Sequence, residues 1–211
     1  MNQPLAYIHP NARIAEDVKI EPFAWIGEDV EIGSGSWIGP NVTIMDGARI
    51  GKNCKIFPGV VISAIPQDLK YKGETTYCHI GDGTTVRESA TVNKGTAASG
   101  NTVVGKDCLL MAFTHVAHDC YLGDHVIMAN AATLAGHITV DDWAIFGGLA
   151  AVSQFCRIGA HVMIIGGAVV NKDIPPFVKT GPGYPVCYAG VNSIGLMRRG
   201  FSRERINAIQ D

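Results

Sequence analysis

Three residues spaced 18 apart, His118, Gly136 and Gln154, have the chemistry for acyl transfer. A histidine is a general base that takes the proton of a hydroxyl group. A glycine leaves space beside that base and offers a backbone N–H, and a neutral amide adds another donor for a developing oxyanion. Asp119 and His137 form a neighbouring pair with the same spacing. The set indicates base-catalysed transfer if the fold stacks positions 18 residues apart.

An aliphatic residue at every sixth position predicts that stacking. Isoleucine holds ten consecutive such positions from Ile8 to Ile62, and the same phase runs again from Val104 to Val170. A period of six matches neither a helix nor a simple strand, and it is the signature of a parallel β-helix. Three hexads make one triangular coil, and successive coils pair as parallel strands about 4.8 Å apart.

The small residues of each hexad predict how the coil is filled and turned. A small or β-branched residue usually stands four positions after the aliphatic and must also face inward. We interpret four cysteines at that position as small core residues, namely Cys54, Cys108, Cys120 and Cys156. Cys78 and Cys187 are expected outside the coils, with no metal or redox spacing. Glycine often follows the aliphatic, as at Gly33, where we expect a corner with little room for a side chain.

The period breaks in two segments, 63–79 and 95–102, which we expect to leave the coils as loops. Functional residues on a rigid scaffold often lie on such loops, but an inert surface excursion is an equally open interpretation. The first loop carries Asp68 close to Lys70. These two residues offer a carboxylate that accepts hydrogen bonds and an ammonium suited to phosphate.

Two domains follow from these boundaries. We predict a β-helix over residues 1–176, ending at Pro175 and Pro176, and a linker with the start of a helical domain over residues 177–211. Ser202 has the character of an N-cap for a helix with Ile206 and Ile209 on one face. Because that helix is so short, we expect the helical part to be truncated or to pack against the coils.

Composition excludes several classes of function. The chain has 211 residues, 47% hydrophobic content and a net charge of −2, which suits one main domain and argues against nucleic-acid binding. It has no apolar run of membrane-spanning length and no export signal. We therefore expect a cytoplasmic protein without a transmembrane segment.

Another group of aromatic residues stacks at a different position of the hexad. Asp107, His125, Trp143 and His161 are spaced 18 apart, where side chains face solvent or a neighbouring subunit. We interpret this group as structural or interfacial.

Several separated segments match one known family in order. They are the run from Thr114 to Tyr121, the run from Leu134 to His137, Gln154-Phe155-Cys156, Gln67-Asp68-Leu69-Lys70-Tyr71, the stretch from Gly159 to Met163, and the tail from Arg198 to Glu204. Together they resemble the UDP-N-acetylglucosamine O-acyltransferases of lipid A synthesis, and the resemblance covers residues 8 to 175. It implies an all-β, left-handed parallel β-helix. Physics alone favours right-handed parallel crossovers, so the handedness comes from the resemblance.

The resemblance also implies a reaction. A homotrimer with active sites between subunits would move a 3-hydroxyacyl chain from acyl carrier protein to the 3-hydroxyl of UDP-N-acetylglucosamine, without a cofactor. His118 would be the general base, Asp119 its partner, and Gly136 the N–H donor to the thioester oxygen. Because adjacent strand residues point to opposite faces, pairing His118 with Asp119 requires a corner of the coil.

Further residues acquire substrate-binding roles from the same resemblance. The sugar, phosphate and nucleotide contacts would be Asp68, Lys70, His137, Gln154, Asn192, Arg198 and Arg199, and the acyl chain would lie along His115, Met163 and Gly166. The glycine at 166 leaves the groove open, which favours a long chain. The chain departs from the family pattern at Ser153, where a histidine is usual, and at Ile194, where a glutamate is usual.

Other hexapeptide-repeat proteins remain as alternatives. The sister N-acyltransferase has an extra domain ahead of the repeats, whereas the repeat here starts at Ile8. A coenzyme-A-dependent acetyltransferase would differ in its acyl donor, and a scaffold protein would need no catalytic histidine. Hexapeptide-repeat carbonic anhydrases bind zinc with three histidines, two of which are usually five residues apart. That spacing is absent here, so we expect no metal.

Overall fold

Each hexad forms a two-residue strand followed by a tight turn. The computed structural model describes residues 4–210. Residues 1–3 and Asp211, at the outer ends of the two predicted domains, lie outside the described residues. A two-residue strand contributes one outward side chain and one inward aliphatic, as Arg13 and Ile14 do in β2. The period of six therefore places every aliphatic on the inner face.

The described chain contains 27 strands. The first thirteen are β1 (Tyr7–Ile8), β2 (Arg13–Ile14), β3 (Lys19–Ile20), β4 (Trp25–Ile26), β5 (Glu31–Ile32), β6 (Trp37–Ile38), β7 (Thr43–Ile44), β8 (Ala48–Ile50), β9 (Lys55–Ile56), β10 (Val61–Ala64), β11 (Tyr77–Ile80), β12 (Thr85–Val86) and β13 (Thr91–Asn93). The others are β14 (Asn101–Val104), β15 (Leu109–Leu110), β16 (His115–Val116), β17 (Tyr121–Leu122), β18 (Ile127–Met128), β19 (Thr133–Leu134), β20 (Thr139–Val140), β21 (Ile145–Phe146), β22 (Ala151–Val152), β23 (Arg157–Ile158), β24 (Met163–Ile164), β25 (Val169–Val170), β26 (Val178–Thr180) and β27 (Tyr188–Val191).

From β1 to β25, every third strand joins the same sheet, which gives a prism with three faces. Sheet A has nine strands from β1 to β25, sheet B has eight from β2 to β23, and sheet C has ten from β3 to β27. Within each regular coil a residue pairs with the one 18 positions on, as Tyr7 does with Trp25 and His115 with Thr133. The predicted parallel β-helix is confirmed. We name the three corners AB, BC and CA after the sheets that each turn connects.

The two interruptions lengthen a coil by whole hexads. Val61 pairs with Thr91, 30 positions on, and Tyr77 pairs with Asn101, 24 positions on. The extra chain is therefore 12 and 6 residues, which explains why the aliphatic phase returns after each break. Strands occupy the ends of both predicted loops, so the connections are shorter, 65–76 and 94–100. Cys78, expected outside the coils, is instead buried in β11.

The corners are made by residues in the left-handed region, three positions after the aliphatic. Asn41 and His125 hold this position with φ of 55° and 58°. We had expected the corners at the glycines that directly follow the aliphatics, and this expectation is wrong. Those glycines lie where successive coils come close together. A Cβ on Gly33 would lie 2.7 Å from the carbonyl carbon of Gly51 in the next coil. These glycines permit the close approach of successive coils, so the expected lack of room is confirmed.

The chain after the last coil covers one end of sheet C. β26 pairs in parallel with β24, and β27 returns antiparallel to β26, so sheet C continues past residue 176. Helix α1 (Ser193–Arg198), which was not predicted, is followed by α2 (Arg203–Gln210). The Ser202 hydroxyl accepts a hydrogen bond from Arg205 N at 3.3 Å, as expected of an N-cap. Neither described helix has the length and apolarity needed to span a bilayer.

Candidate active site

The predicted ladder of His118, Gly136 and Gln154 lies at the AB corner. Backbone bonds join successive coils there, from His137 N to the His118 carbonyl at 3.0 Å and from Phe155 N to the Gly136 carbonyl at 3.3 Å. The stacking of these positions is thus confirmed. Both long loops leave the prism at the same corner, because each connects a strand of sheet A to one of sheet B. The AB corner therefore carries both the ladder and the loops.

His118 and Asp119 form a buried pair. Nδ1 of His118 lies 2.8 Å from Oδ2 of Asp119, and the two side chains are only 6% and 0% exposed. Asp119 has a φ of 59°, so it occupies the corner that this pairing requires. An ionised carboxylate accepts hydrogen bonds only, so Nδ1 carries a proton, and in the neutral form of the ring the lone pair is on Nε2. His118 therefore has the tautomer of a general base at Nε2.

The second loop surrounds Asp119 with donors. Its carboxylate accepts hydrogen bonds from Thr96 N at 3.0 Å, Thr96 Oγ1 at 2.7 Å, Ser99 N at 3.2 Å and the Ser99 hydroxyl. Burial raises the pKa of Asp119, but the hydrogen bonds from Ser99, His118 and Thr96 outweigh it and lower the pKa below its usual range. Thr96 and Ser99 were not predicted as site residues. Their only signal was the break in the period over 95–102.

Gly136 makes room for the His118 ring. A Cβ at this position would lie 2.6 Å from Cε1 and 2.7 Å from Nε2 of His118, closer than real contacts allow. Within the described residues, no acceptor contacts the Gly136 N–H. The general base and an available backbone donor are therefore adjacent, as base-catalysed acyl transfer requires.

His137 extends the polar site from the next coil. Its ring packs edge-on against His118 with centroids 5.0 Å apart, and it stacks on Phe155 at 4.8 Å. Ligand atoms of His118, Asp119 and His137 lie within 4.8 Å of one another, a separation at which they could hold a metal ion. Both Asp119 oxygens, however, already accept hydrogen bonds from the second loop and from His118. A cation here would have to displace those donors.

The first loop faces the ladder across a groove. Its residues line a concave surface together with the ladder: Gln67, Asp68, Leu69, Lys70, His118, His137, Gln154 and Phe155. Asp68 Oδ1 accepts from Lys70 N at 2.9 Å, which fixes the turn. The Lys70 side chain is exposed at the groove. The structure thus brings together the carboxylate, ammonium and imidazole groups predicted from separate segments.

The structure divides the three residues expected along the acyl chain between sheet A, sheet C and the CA corner. His115 faces outward from β16, and its Nδ1 lies 2.7 Å from Thr91 Oγ1. Burial and the neighbouring His118 lower the pKa of His115. Met163 is half-buried in β24 of sheet C, and the exposed Gly166 follows it at the CA corner. Since sheet A joins the CA and AB corners, its outer face connects Gly166 to His118.

The expected nucleotide contacts lie elsewhere on the chain. Asn192 and Arg199, at the two ends of α1, contact His161 at the BC corner, and Arg198 is exposed beside them. A single chain therefore does not bring these residues to the ladder at the AB corner. Ser153, where this chain departs from the family pattern, is exposed next to Gln154. Ile194 is exposed on α1.

Two family patterns match the chain. Residues 29–64 and 101–136 match the family described as bacterial transferase hexapeptide (six repeats), and residues 173–211 match UDP-N-acetylglucosamine O-acyltransferase, domain 2. The second match covers the β26–β27 hairpin and both helices, so it includes the segment outside the regular coils.

Named relatives agree with these matches. The chain is 49% identical over 209 residues to the acyl-[acyl-carrier-protein]–UDP-N-acetylglucosamine O-acyltransferase of Myxococcus xanthus, covering 99% of this chain and 81% of the relative. For the enzyme of the same description from Herminiimonas arsenicoxydans, the identity is 48% over 150 residues, which is 71% of this chain but only 57% of the relative.

A solved structure is similar along the whole chain. The UDP-N-acetylglucosamine acyltransferase of Bacteroides fragilis has a TM-score of 0.97 and 50% identity, covering 100% of this chain and 82% of that one. The expected left-handed coil is thereby confirmed. The chain belongs to the UDP-N-acetylglucosamine O-acyltransferase family of hexapeptide-repeat transferases.

Proposed function

We propose that this chain transfers a 3-hydroxyacyl group from acyl carrier protein to the 3-hydroxyl of UDP-N-acetylglucosamine, the first step of lipid A synthesis. One observation carries the chemistry. The Asp119 carboxylate accepts a hydrogen bond from Nδ1 of His118, and Nε2 of the same ring lies beside Gly136. Within the described residues, the Gly136 N–H has no hydrogen-bond acceptor. The names of the relatives supply the donor and acceptor.

The reaction follows from this geometry in balanced steps. Nε2 of His118 takes the proton of the sugar hydroxyl as its oxygen bonds to the thioester carbonyl carbon. The Gly136 N–H donates to the oxyanion that forms. The carbon–sulfur bond then breaks, and the imidazolium returns its proton to the departing thiolate. Asp119 stabilises the imidazolium throughout, and no step needs a cofactor.

Substrate contacts in this proposal come from the groove walls. Asp68 and Lys70 would bind the sugar and a phosphate, and His137 with Gln154 would hold the acceptor in place. This assignment is supported by the shared groove of loop and ladder. A lysine ammonium is a suitable point charge for phosphate.

A complete site in this proposal needs two copies of the chain. The base lies at the AB corner, whereas Asn192, Arg198 and Arg199 belong to the BC side. A closed threefold ring, in which one subunit's AB corner meets its neighbour's BC side, joins them with one repeated contact. We therefore propose a homotrimer with sites between subunits, acting in the cytoplasm with acyl carrier protein as its partner.

Product analysis tests the reaction. The purified protein is incubated with UDP-N-acetylglucosamine and 3-hydroxyacyl carrier proteins of graded length, and O-acylated sugar is sought by mass spectrometry. We expect product at a preferred length, unchanged by a chelator and absent with His118→Ala. Matched incubations with acyl-coenzyme A as the donor test the acetyltransferase alternative, and incubations with an amino-sugar nucleotide as the acceptor test the N-acyltransferase alternative. No product at any length, or equal use of coenzyme A, would contradict the proposal.

A further inference from the structure

His161 lies at the centre of an aromatic stack on the BC corner. Its ring is nearly parallel to those of Trp143 and Phe177, with centroids 6.3 and 5.6 Å away. Phe201, between the two helices, packs edge-on against it at 5.2 Å. These contacts fix the plane of the imidazole from three sides. The sequence alone had suggested only a structural or interfacial role.

The edge of this ring contacts Arg199. Nη1 of Arg199 lies 3.3 Å from Nδ1 of His161, and the guanidinium carbon lies 5.3 Å from the centre of the Trp143 ring. Arginine has donors but no acceptor, so Nδ1 must carry a lone pair and the ring must be neutral. The guanidinium is thus held by a hydrogen bond and by the face of an aromatic ring.

The backbone of His161 holds the second expected nucleotide contact. Asn192 Nδ2 donates to the His161 carbonyl at 2.9 Å, and Asn192 N donates to the Phe177 carbonyl at 2.7 Å. The remaining side-chain oxygen accepts from Gly195 N at 3.3 Å and caps α1. Asn192 is buried, so these bonds fix its position.

We propose that His161 is a positioning residue for the diphosphate of a nucleotide sugar. Its ring fixes Arg199 at the end of α1, and its carbonyl fixes Asn192 at the start of α1. This inference rests on the proposed function. A guanidinium binds phosphate oxygens with a planar fork, so its orientation decides how many hydrogen bonds it makes. Without His161 the arginine would have to be ordered at the moment of binding, which lowers affinity.

The arrangement makes nucleotide binding sensitive to acid. Burial and the Arg199 cation lower the pKa of His161, and Asp142 raises it by less. In the described part of the chain, Arg199 and Asp142 are the charged groups that act on this imidazole, and the rings of Trp143, Phe177 and Phe201 are uncharged. A protonated His161 would lose its acceptor and face another cation. Nucleotide affinity is therefore kept above the lowered pKa and lost as the pH falls through it.

Two substitutions separate the hydrogen bond from the packing. His161→Phe keeps an aromatic ring but removes the acceptor, and His161→Gln keeps an acceptor that does not titrate. For His161→Phe we expect KM for UDP-N-acetylglucosamine to rise about tenfold with kcat nearly unchanged. For His161→Gln we expect KM near that of the parent chain, without the parent's rise in acid. An unchanged KM in His161→Phe, or the same acid rise in His161→Gln, would overturn the inference.

A titration independent of turnover tests the contact itself. The His161 ring is followed by NMR from pH 4 to 8 in the full chain, with and without Arg199→Ala. Because the cation lowers the pKa of His161, its removal should raise that pKa. An unchanged titration would overturn the inferred pair. If the titration responds but no acylated sugar forms in the product assay, the pair is supported and the proposed function fails.

Discussion

Nδ1 of His118 lies 2.8 Å from the carboxylate of Asp119, although the two are neighbours in the chain. Adjacent residues of a strand point to opposite faces and do not pair in this way. The left-handed conformation of Asp119 at the corner turns its carboxylate back toward the preceding ring. The corner of the coil therefore allows Asp119 to pair with His118, the residue directly before it.

Removing either member of this pair should abolish most of the turnover. His118→Ala loses the base, and we expect kcat to fall by about 10²-fold to 10⁴-fold. Asp119→Asn keeps the shape but can donate to Nδ1, which favours a proton on Nε2, so a loss of about 10²-fold is expected. Initial rates at saturating substrate measure both. Sedimentation of each variant controls for assembly, and retained turnover in His118→Ala would exclude the proposed base.

Gly136→Ala should impair catalysis without unfolding the coil. The new methyl group would lie 2.6 Å from the His118 ring, so the imidazole must move away from the Gly136 N–H. We expect kcat to fall at least about tenfold, since the base and the oxyanion donor would be misaligned. Gly148→Ala is the matched control, because its methyl group would meet only Asn130 O at 3.4 Å. Equal activity of the two variants would contradict the role of the gap.

The second loop should set the acid stability of the site. Thr96→Val removes one O–H donor from Asp119, and a hydrogen bond to a charged group contributes about 1.5–3 kcal/mol. The pKa of Asp119 is lowered in the folded chain, so its stabilisation is present above the unfolded pKa and lost as the pH falls through the folded one. In Thr96→Val the folded pKa rises, and acid unfolding should begin at a higher pH.

Circular dichroism during acid titration measures this shift. Thr43→Val, in β7 and without contact to Asp119, is the control for losing a hydroxyl group. If both variants unfold at the same pH, the loop donors do not determine the ionisation of Asp119.

The sequence predicted the parts of the site that follow the period. Counting hexads was enough to stack His118, Gly136 and Gln154, because both loops precede this part and the coils after them are regular. The contacts of Thr96 and Ser99 with Asp119 were not predictable, since they depend on how an aperiodic loop folds back. The contact of Arg199 with His161 joins residues outside the repeat to one within it, and no spacing encodes it.

The size of residue 166 should control the length of the transferred chain. Gly166 lies at the CA corner, across sheet A from His118, and a Cβ there would already lie 3.1 Å from Gly148 O. A larger side chain must therefore turn away from Gly148, and in the proposed function it would occupy the path of the acyl chain. In Gly166→Leu we expect the preferred acyl chain to shorten, because each displaced methylene loses about 0.8 kcal/mol of burial.

Competition between 3-hydroxyacyl carrier proteins of graded length, with products separated by mass, measures this preference. Gly166→Ala should give an intermediate result. An unchanged preference in Gly166→Leu would place the end of the acyl chain elsewhere.

Mixing two impaired variants, assayed at a UDP-N-acetylglucosamine concentration well below KM, tests whether the site lies between subunits. His118→Ala removes the base at the AB corner, and Arg199→Ala removes a nucleotide contact at the BC side. If each site takes the first residue from one subunit and the second from its neighbour, about one quarter of the sites in randomly mixed trimers regain both. After the mixture has been dissociated and reassembled, its turnover rate should therefore exceed the mean of the rates of the two separate variants. The same variants mixed without subunit exchange are the control. A rate that never exceeds the mean after exchange would place both residues in the site of one subunit.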